Sequence, residues 1–245
     1  MFIDASFDFR SDSSDKDPDS YSPTLRRYHR FLWSKPLPSG HLFHLVDNRT
    51  GAYLYHQSEV GEFFLASDSV IATFTRRKTL KNITGLFPEE ENEAFRHICY
   101  TIGGMIVFPG NKIDGKMTIN GARGFSRRIA DRFDLTLECI RRHYLSQSSP
   151  LDEVLLRYRE FFALFSNFRG YVDFFFLQDL VTEDYSTIRF FMHFDEFNTS
   201  SVPTTFDDYA EYRRRSIAFI EARNRRIGQY VASYPPEPEI ARVPQ

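Results

Sequence analysis

The sequence predicts a single α+β domain with a small mixed or antiparallel sheet in its first two-thirds and a helix-rich C-terminal half. Most candidate strands lie before residue 120, and the long helical patterns follow residue 126. No internal repeat and no long linker interrupts these patterns, and 245 residues are enough to bury a substantial core. We therefore expect one domain over residues 1–234, followed by a proline-rich tail over residues 235–245.

The N-terminal segment predicts an edge strand over residues 1–9, a Ser- and Asp-rich loop over residues 10–21 and then a helix. Ser22 is the expected N-cap of that helix and Pro23 its first residue, because Pro fits the first turn and Ser accepts a backbone hydrogen bond there. The helix is expected to end before Pro36. Its predicted inward residues are Leu25, Tyr28, Phe31 and Leu32.

A hairpin is predicted next, with strands over residues 41–47 and 52–56 around the turn Asn48-Arg49-Thr50-Gly51. A third strand is expected over residues 62–66. Asp68 or Ser69 is the expected cap of a short helix that ends in the basic run at residues 76–78.

The middle of the chain predicts a helix over residues 89–102 that buries Ala94, Phe95, Ile98 and Ile102 and is ended by the Gly103-Gly104 pair. A buried strand is expected over residues 105–108, with residues 116–119 as its hairpin partner.

The second half predicts mainly helices. Ser126 is the expected cap of a long helix, and Ser149 to Asp152 has the spacing of a capping box with Asp in place of Glu. The inward residues of the first of these helices are predicted to be Ile129, Phe133, Leu137, Ile140 and Tyr144. Gly170 is expected to separate the second helix from an aromatic segment at residues 171–180. Residues 187–194 are predicted to form a strand, and residues 195–205 a polar loop. A last helix is expected from Thr205 or Asp207 to about Ser233.

Composition limits the function classes. The formal net charge of -2 does not indicate a general polyanion binder, and Cys99 and Cys139 have no CxxC spacing. The N-terminus has no basic and apolar leader, and the most apolar run, residues 171–181, is too short to span a bilayer. We therefore expect a cytoplasmic protein with reduced cysteines and no membrane partner. No cofactor fingerprint is present, and His41 and His44, three apart on a predicted strand, do not predict a metal site.

The densest group of candidate ligand-binding residues lies between Gly110 and Arg132. A glycine-rich polar turn there leads into a predicted helix N-terminus rich in arginine, an arrangement that suits a phosphate or carboxylate. The predicted binding residues of this segment are Lys112, Asn120, Arg123 and Arg127. The simpler interpretation is a β-hairpin followed by a solvated helix with surface ion pairs.

A second candidate segment is the helix that ends near Lys35. His29 and Lys35 are its predicted catalytic residues. Arg26 is a predicted substrate-binding residue, and Trp33 is a predicted stacking platform for a base. The simpler interpretation is an amphipathic helix with Trp33 in the core. The sequence does not show whether the two candidate segments meet.

The last predicted helix offers a different function. We expect its apolar residues to pack on the domain and its arginines to lie outside. The expected outer residues are Arg213, Arg214, Arg215, Arg223, Arg225 and Arg226. Such a face suits a protein partner, a second copy or RNA through residues 207–233, or is an ordinary solvated surface.

Several stretches resemble an uncharacterised bacterial family, a domain of unknown function. They are TLRRYHRFLWSKPLPSG (24–40), FFLASDSVIATFTR (63–76), TIGGMIVFPGNKIDGKMTINGARGF (101–125), RIADRFDLTLECIRRHY (128–144), RGYVDFFFLQDLV (169–181) and FIEARNRRI (219–227). The resemblance covers nearly the whole chain and implies one domain in a bacterial cytosol, but no activity. From the residues themselves we expect an enzyme or effector that acts on a phosphate-bearing ligand, RNA or a nucleotide. Analogy with bacterial proteins of this kind suggests a role in phage defence or as a toxin. The alternative is a non-catalytic interaction module built on the last helix.

Overall fold

A computed structural model describes residues 2–47, 54–75 and 77–233 of the chain, and it confirms the α+β class. All six strands of the described residues precede residue 110, and the long helices follow. The strands are β1 (Lys35–Pro36), β2 (Leu42–Phe43), β3 (Val46–Asp47), β4 (Leu54–Ser58), β5 (Gly61–Ser69) and β6 (Met105–Pro109). The helices are α1 (Pro18–Tyr21), α2 (Pro23–Trp33), α3 (Lys81–Thr84), α4 (Glu89–Cys99), α5 (Ile119–Phe125), α6 (Phe133–Tyr144), α7 (Asp152–Arg157), α8 (Arg159–Ala163), α9 (Phe168–Phe174) and α10 (Phe206–Ser233).

The strands form two antiparallel sheets. Four of them pair in the order β3-β4-β5-β6, and β1 pairs with β2 in a separate two-stranded sheet. Ser69 at the end of β5 lies opposite Met105 at the start of β6. The turn predicted at residues 48–51 lies outside the described residues, as does the predicted tail.

Helix α2 forms as its sequence predicts. The Ser22 side chain accepts a hydrogen bond from the Leu25 N–H, and Pro23 is the first helical residue. Leu25, Tyr28 and Leu32 are buried as expected, and Phe31 is half-buried. The N-terminal edge strand predicted over residues 1–9 is wrong: the segment is irregular up to a 3₁₀ turn at Phe9–Asp12.

Two further predictions, the helix cap at Asp68 or Ser69 and the strand at residues 116–119, are also wrong. Asp68 and Ser69 belong to β5 rather than to a helix cap, because β5 continues along the full length of β6. Residues 116–119 are not a strand, because the Thr118 side chain accepts a hydrogen bond from the Gly121 N–H and starts α5 there. Ser126 is consequently the C-cap of α5, and the following helix, α6, begins six residues later than predicted.

Several later boundaries also differ. Helix α4 ends at Cys99, three residues early, and its Ala94 is exposed. Gly170 lies inside α9, where its N–H is bonded to the capping Asn167 side chain. The strand predicted over residues 187–194 is reduced to one bridge between Val181 and Ile188.

Helix α10 contacts several elements that are distant from it in the sequence. It packs against α3, α4 and the 3₁₀ turns at Ile102–Gly104 and Gln178–Leu180. A Cβ at Gly103 would lie 2.5 Å from the Ile220 carbonyl oxygen, so glycine is required for this close approach. The buried face of α10 then meets a core rich in aromatic rings, in which Phe175 lies 4.9 to 5.3 Å from Tyr171, Phe174, Trp33 and Phe165.

Candidate functional site

A cleft of about 690 Å³ opens between segments that are distant in the sequence. Its walls come from the N-terminal segment between Arg10 and Asp19, from the end of β5 and the chain that follows it as far as Arg77, and from the last turn of α4. Gly124, Ala130 and Asp131 complete it from the α5–α6 connection. Helix α1 packs against β5, and this contact brings the aspartates of the first segment beside Asp68.

Carboxylates line much of this cleft: Asp15, Asp17, Asp19, Asp68 and Asp131. The Oδ1 atom of Asp19 is buried and has no hydrogen-bond partner within the part of the chain that the structure describes. Burial, together with the charges of Asp68 and Asp17, raises the pKa of Asp19 well above its usual value. Asp19 is therefore poised to hold a proton where an ordinary surface aspartate would not.

Asp68 is the second carboxyl group with a shifted pKa. Its Oδ1 accepts from the Ser69 N–H at 2.8 Å, and its Oδ2 accepts from Arg123 Nη1 at 2.7 Å. Burial raises its pKa to about 6; Arg123 opposes this shift, and the charge of Asp131 adds to it. A carboxyl group with such a pKa exchanges protons near neutral pH, as a general acid or base must.

Two cations of the cleft have no carboxylate partner among the described residues. Lys16 lies over the ring of Tyr21 at 4.7 Å, and Arg77 over the ring of Phe74 at 5.9 Å. Arg10 and Arg96, by contrast, are both paired with Glu93, at 2.7 and 2.8 Å. Lys16 and Arg77 are therefore the lining cations that remain free to contact a bound anion.

Arg123 lies behind the cleft wall and is fully buried. Besides Asp68, it donates to Thr136 Oγ1 at 3.0 Å, to the Ser69 carbonyl at 3.2 Å and to the Asp131 carbonyl at 3.1 Å. Its guanidinium group joins β5, α5 and α6. The guanidinium group of Arg123, which was predicted to bind phosphate, thus bonds only to groups inside the protein. No part of this side chain is exposed to a bound molecule.

The other three predicted binding residues of the 110–132 segment remain partly or fully exposed. Arg127 has no ion pair among the described residues and belongs to the turn whose flanking residues, Gly124 and Asp131, line the cleft. Asn120 is half-buried in the first turn of α5, and its buried Oδ1 has no hydrogen-bond partner in the described ranges. Lys112 is exposed in the turn after β6 and does not line the cleft.

The predicted residues of α2 and β1 come together away from the cleft, around the ring of Trp33. Trp33 is fully buried, and its Nε1–H donates to His29 Nδ1 at 2.8 Å, while His29 Nε2 lies 3.0 Å from Ser67 Oγ. Burial and Arg223 lower the pKa of His29 to about 3, so the ring stays neutral. Trp33 therefore presents no face on which a base could stack. Arg26 lies elsewhere, 3.6 Å from Asp47.

Lys35 is enclosed by aromatic rings. Its Nζ lies 3.6 Å from the ring centroid of Phe176, and 4.7 to 5.4 Å from those of Phe174, Tyr230 and Trp33. Burial, with a contribution from Arg223, lowers the pKa of this ammonium group to about 7. No carboxylate among the described residues forms an ion pair with it.

The basic face predicted for α10 is only partly outside. Arg213 is buried against the rings of Phe87 and Phe95, and Arg223 is fully buried. Arg223 donates to the carbonyl groups of Phe175, Gly103 and Met105. Of the remaining arginines, Arg214 and Arg215 bond to Glu211, and Arg226 bonds to Asp179. The predicted outer face thus loses two of its arginines to the core, because they share the spacing of the apolar stripe.

Sequence reasoning missed the cleft itself, and with it Lys16, Asp19, Asp68 and Arg77. One local signal was present: Asp17-Pro18-Asp19, in which Asp17 caps the short helix α1 and Pro18 is its first residue. That pattern predicts a fixed turn within the acidic loop, but it does not show that the loop meets the end of β5.

Within residues 2–47, 54–75 and 77–233, no three His, Cys, Asp or Glu side chains are grouped closely enough to hold a metal ion. In the same residues no helix has the length and apolar character needed to cross a membrane.

A family model matches residues 3–227, which is nearly the whole chain. The chain belongs to the family of unknown function DUF6994. Comparisons with curated proteins and with solved structures find no match. Membership of DUF6994 assigns no activity to the chain.

Proposed function

We propose that the protein is an enzyme or effector that acts on a phosphate-bearing ligand, a nucleotide or RNA, bound in the cleft. The observation that carries the proposal is the presence, in one cleft, of two carboxyl groups with raised pKa values and two cations that pair with no carboxylate of the described residues. Asp19 and Asp68 supply the proton transfer. Lys16 and Arg77 supply charge-assisted contacts to phosphate oxygens.

The two carboxyl groups suit hydrolysis or transfer at phosphorus. One of them, in its ionised form, takes the proton of the attacking hydroxyl group or water, and the other, in its neutral form, gives a proton to the leaving oxygen. Asp68 is the better candidate for the base, because Arg123 stabilises its ionised form at 2.7 Å. Asp19 is the better candidate for the acid, since none of the described residues donates to its buried Oδ1 and stabilises a negative charge there.

The cellular setting that we propose is a bacterial cytosol, with a role in phage defence or as a toxin. This step rests on analogy with other bacterial proteins that act on RNA or nucleotides. The free, buried state of Cys99 and Cys139 supports a reducing compartment. Growth and plaque assays with the wild type and with Asp68→Asn test this setting. Growth inhibition by a toxin, or the reduction in plaques by phage defence, should be lost in Asp68→Asn.

The alternative, an interaction module built on α10, has less support. The apolar residues of this helix, among them Tyr209, Ile220 and Ile227, are already buried in the domain. A concentration-independent monomer in light scattering is the result expected if no second copy binds there.

The direct test is a product assay with nucleoside mono-, di- and triphosphates and a short oligoribonucleotide. Asp68→Asn and Asp19→Asn should each abolish product formation while they retain ligand binding in calorimetry. Lys16→Ala and Arg77→Ala should each weaken binding by roughly 10- to 150-fold, as expected for a lost charge-assisted contact. Lys112→Ala is the matched control, because Lys112 is exposed and does not line the cleft. Full turnover in both aspartate variants, or no binding by any of these ligands, would refute the proposal.

A further inference from the structure

The chain that follows β5 turns at Phe74, which is held in an unusual backbone conformation. Its φ angle is 59°, in the left-handed region that bulky side chains seldom adopt. The ring of Phe74 is buried against Tyr209 and Tyr212 of α10, with ring centroids 6.4 and 5.2 Å away. The same tyrosines bind the main chain, since Tyr209 Oη donates to the Thr73 carbonyl at 2.8 Å and the Ala72 N–H donates to Tyr212 Oη at 3.0 Å. Helix α10 therefore fixes this wall of the cleft.

The two residues beside Phe74 are threonines that line the cleft. Thr73 and Thr75, called here the threonine pair, are both half-buried. Their hydroxyl oxygen atoms lie 3.1 Å apart, so both side chains lie on the same side of the chain. Arg77 belongs to the same turn, because its N–H donates to the Phe74 carbonyl at 2.9 Å. One short segment thus presents two hydroxyl groups and a guanidinium group to the cleft.

Hydrogen-bonding capacity distinguishes the threonine pair from the serines of the cleft. Ser13 and Ser69 also line it, but their hydroxyl groups donate to the carbonyl groups of Arg10 and Ile71. In the threonine pair one hydroxyl donates to the other, which uses one of the two O–H hydrogens. No described residue accepts the second hydrogen, so it is available to a bound molecule. That molecule must supply an acceptor, and the neighbouring Arg77 favours an acceptor with negative charge.

We propose that the threonine pair and Arg77 form a phosphate subsite of the cleft, in which the uncommitted hydroxyl group and the guanidinium group contact oxygens of one phosphate. The inference rests on the proposed function and deepens it, since it adds two residues to the phosphate contacts. Asp68, the proposed base, lies in β5 on the same stretch of chain, so one continuous segment carries both the base and this subsite.

The test is calorimetric titration with adenosine 5′-diphosphate, a short oligoribonucleotide and adenosine, which lacks phosphate. Thr73→Val/Thr75→Val keeps the shape of both side chains and removes both hydroxyl groups. It should weaken binding of the phosphate ligands by roughly 10- to 150-fold, as expected for a lost hydrogen bond to a charged group, and leave adenosine binding unchanged. Thr73→Ser/Thr75→Ser should retain wild-type affinity. Thr79→Val is the matched control, because Thr79 is exposed and does not line the cleft.

The outcomes separate this inference from the proposed function. Unchanged affinity in the double valine variant, together with a loss in Arg77→Ala, would overturn the subsite and leave the proposed function intact. An equal loss for adenosine would also overturn the subsite, because the pair would then contact the nucleoside. Absence of wild-type binding by both phosphate ligands would overturn the subsite and the proposed function together.

Melting temperatures verify that the variants fold. A lower melting temperature with unchanged affinity would show that the threonine pair only stabilises the turn, and would overturn the subsite. If the double valine variant does not fold, Thr75→Val alone provides the same comparison. It removes one of the two hydroxyl groups and should weaken binding of the phosphate ligands by about 2- to 12-fold.

Discussion

Arg123 Nη1 lies 2.7 Å from Asp68 Oδ2, and this bond joins α5 to the end of β5. Arg123 is fully buried, whereas the Asp68 side chain keeps a fifth of its surface in the cleft. The arginine therefore faces the core and the aspartate faces the cleft. One ion pair thus links the interior to the candidate site.

Arg123→Met should lower the free energy of unfolding by about 3–5 kcal/mol, because it leaves Asp68 and two carbonyl groups without their donor. Urea denaturation followed by circular dichroism measures the change. Arg127→Met, an exposed arginine four residues away, should change the same quantity by less than about 0.5 kcal/mol. Equal stability of the two variants would show that Arg123 is not the anchor described above.

Asp68 should titrate with a pKa of about 6 in the folded protein. Carbon-13 NMR of the aspartate carboxyl groups measures this value. Asp131→Asn should lower it, because the charge of Asp131 disfavours the ionised form of Asp68. Asparagine tolerates the positive φ of position 131, so the backbone should be kept.

The control for this titration is Asp207→Asn. Asp207 is exposed in the first turn of α10 and does not line the cleft, so the pKa of Asp68 should be unchanged. A pKa for Asp68 below 4.5 in the wild type would contradict the prediction. It would also remove the group proposed as the base.

Lys35→Met should stabilise the protein, because it replaces a buried, unpaired ammonium group by an apolar side chain of similar length. In the folded state the pKa of Lys35 is lowered from 10.5 to about 7, so the unfolded chain binds more protons between these values. The free energy of unfolding of the wild type therefore rises with pH across this window. The advantage of the variant should be about 1–4 kcal/mol below pH 7 and should shrink toward pH 10.5.

Denaturation curves of both proteins at pH 6, 8 and 10 provide the measurement. Lys112→Met is the matched control, an exposed lysine whose replacement should leave stability and its pH dependence nearly unchanged. A loss of stability in Lys35→Met at pH 6 would show that attraction by the four rings exceeds the cost of burying the charge.

Residues 1–234 should unfold in one cooperative transition that does not respond to reductant. Both cysteines are free and buried; burial raises the pKa of the Cys139 thiol to about 12 and that of Cys99 further still, so neither forms a reactive thiolate. Fluorescence of the single tryptophan, Trp33, and far-ultraviolet circular dichroism should give coincident curves with and without reductant. Two separate transitions would indicate more than one domain.

The sequence correctly predicted those elements whose boundaries are set by residues adjacent in the chain, such as a helix cap or a short apolar run. Ser22 and Pro23 start α2 as expected, the buried strand at residues 105–108 is β6, and the last helix extends to Ser233. The strand predicted at residues 116–119 failed because its residue types suit a short strand, while the cap at Thr118 commits the chain to a helix. Propensity gave no means of weighing the cap against the strand pattern.

The buried arginines of α10 carry a different lesson. Arg213 follows Tyr209 by four residues and Arg223 follows Ser216 by seven, so both lie on the buried stripe of the helix. Their spacing therefore indicates the buried face, whereas the sequence analysis assigned both to the outer face because they are charged. The cleft could not be predicted in this way, since its walls come from segments as far apart as Lys16 and Asp131 and meet only through tertiary packing.

Arg223 has a consequence for how the protein is made. Its guanidinium group is the buried donor for the carbonyl groups of Gly103 and Met105 at the start of β6, about half the chain earlier, and for that of Phe175. A nascent chain still short of position 223 has no donor for these oxygens. Synthesis from the N-terminus thus delivers Arg223 120 residues after Gly103, and the native interior is completed only after α10 has left the ribosome.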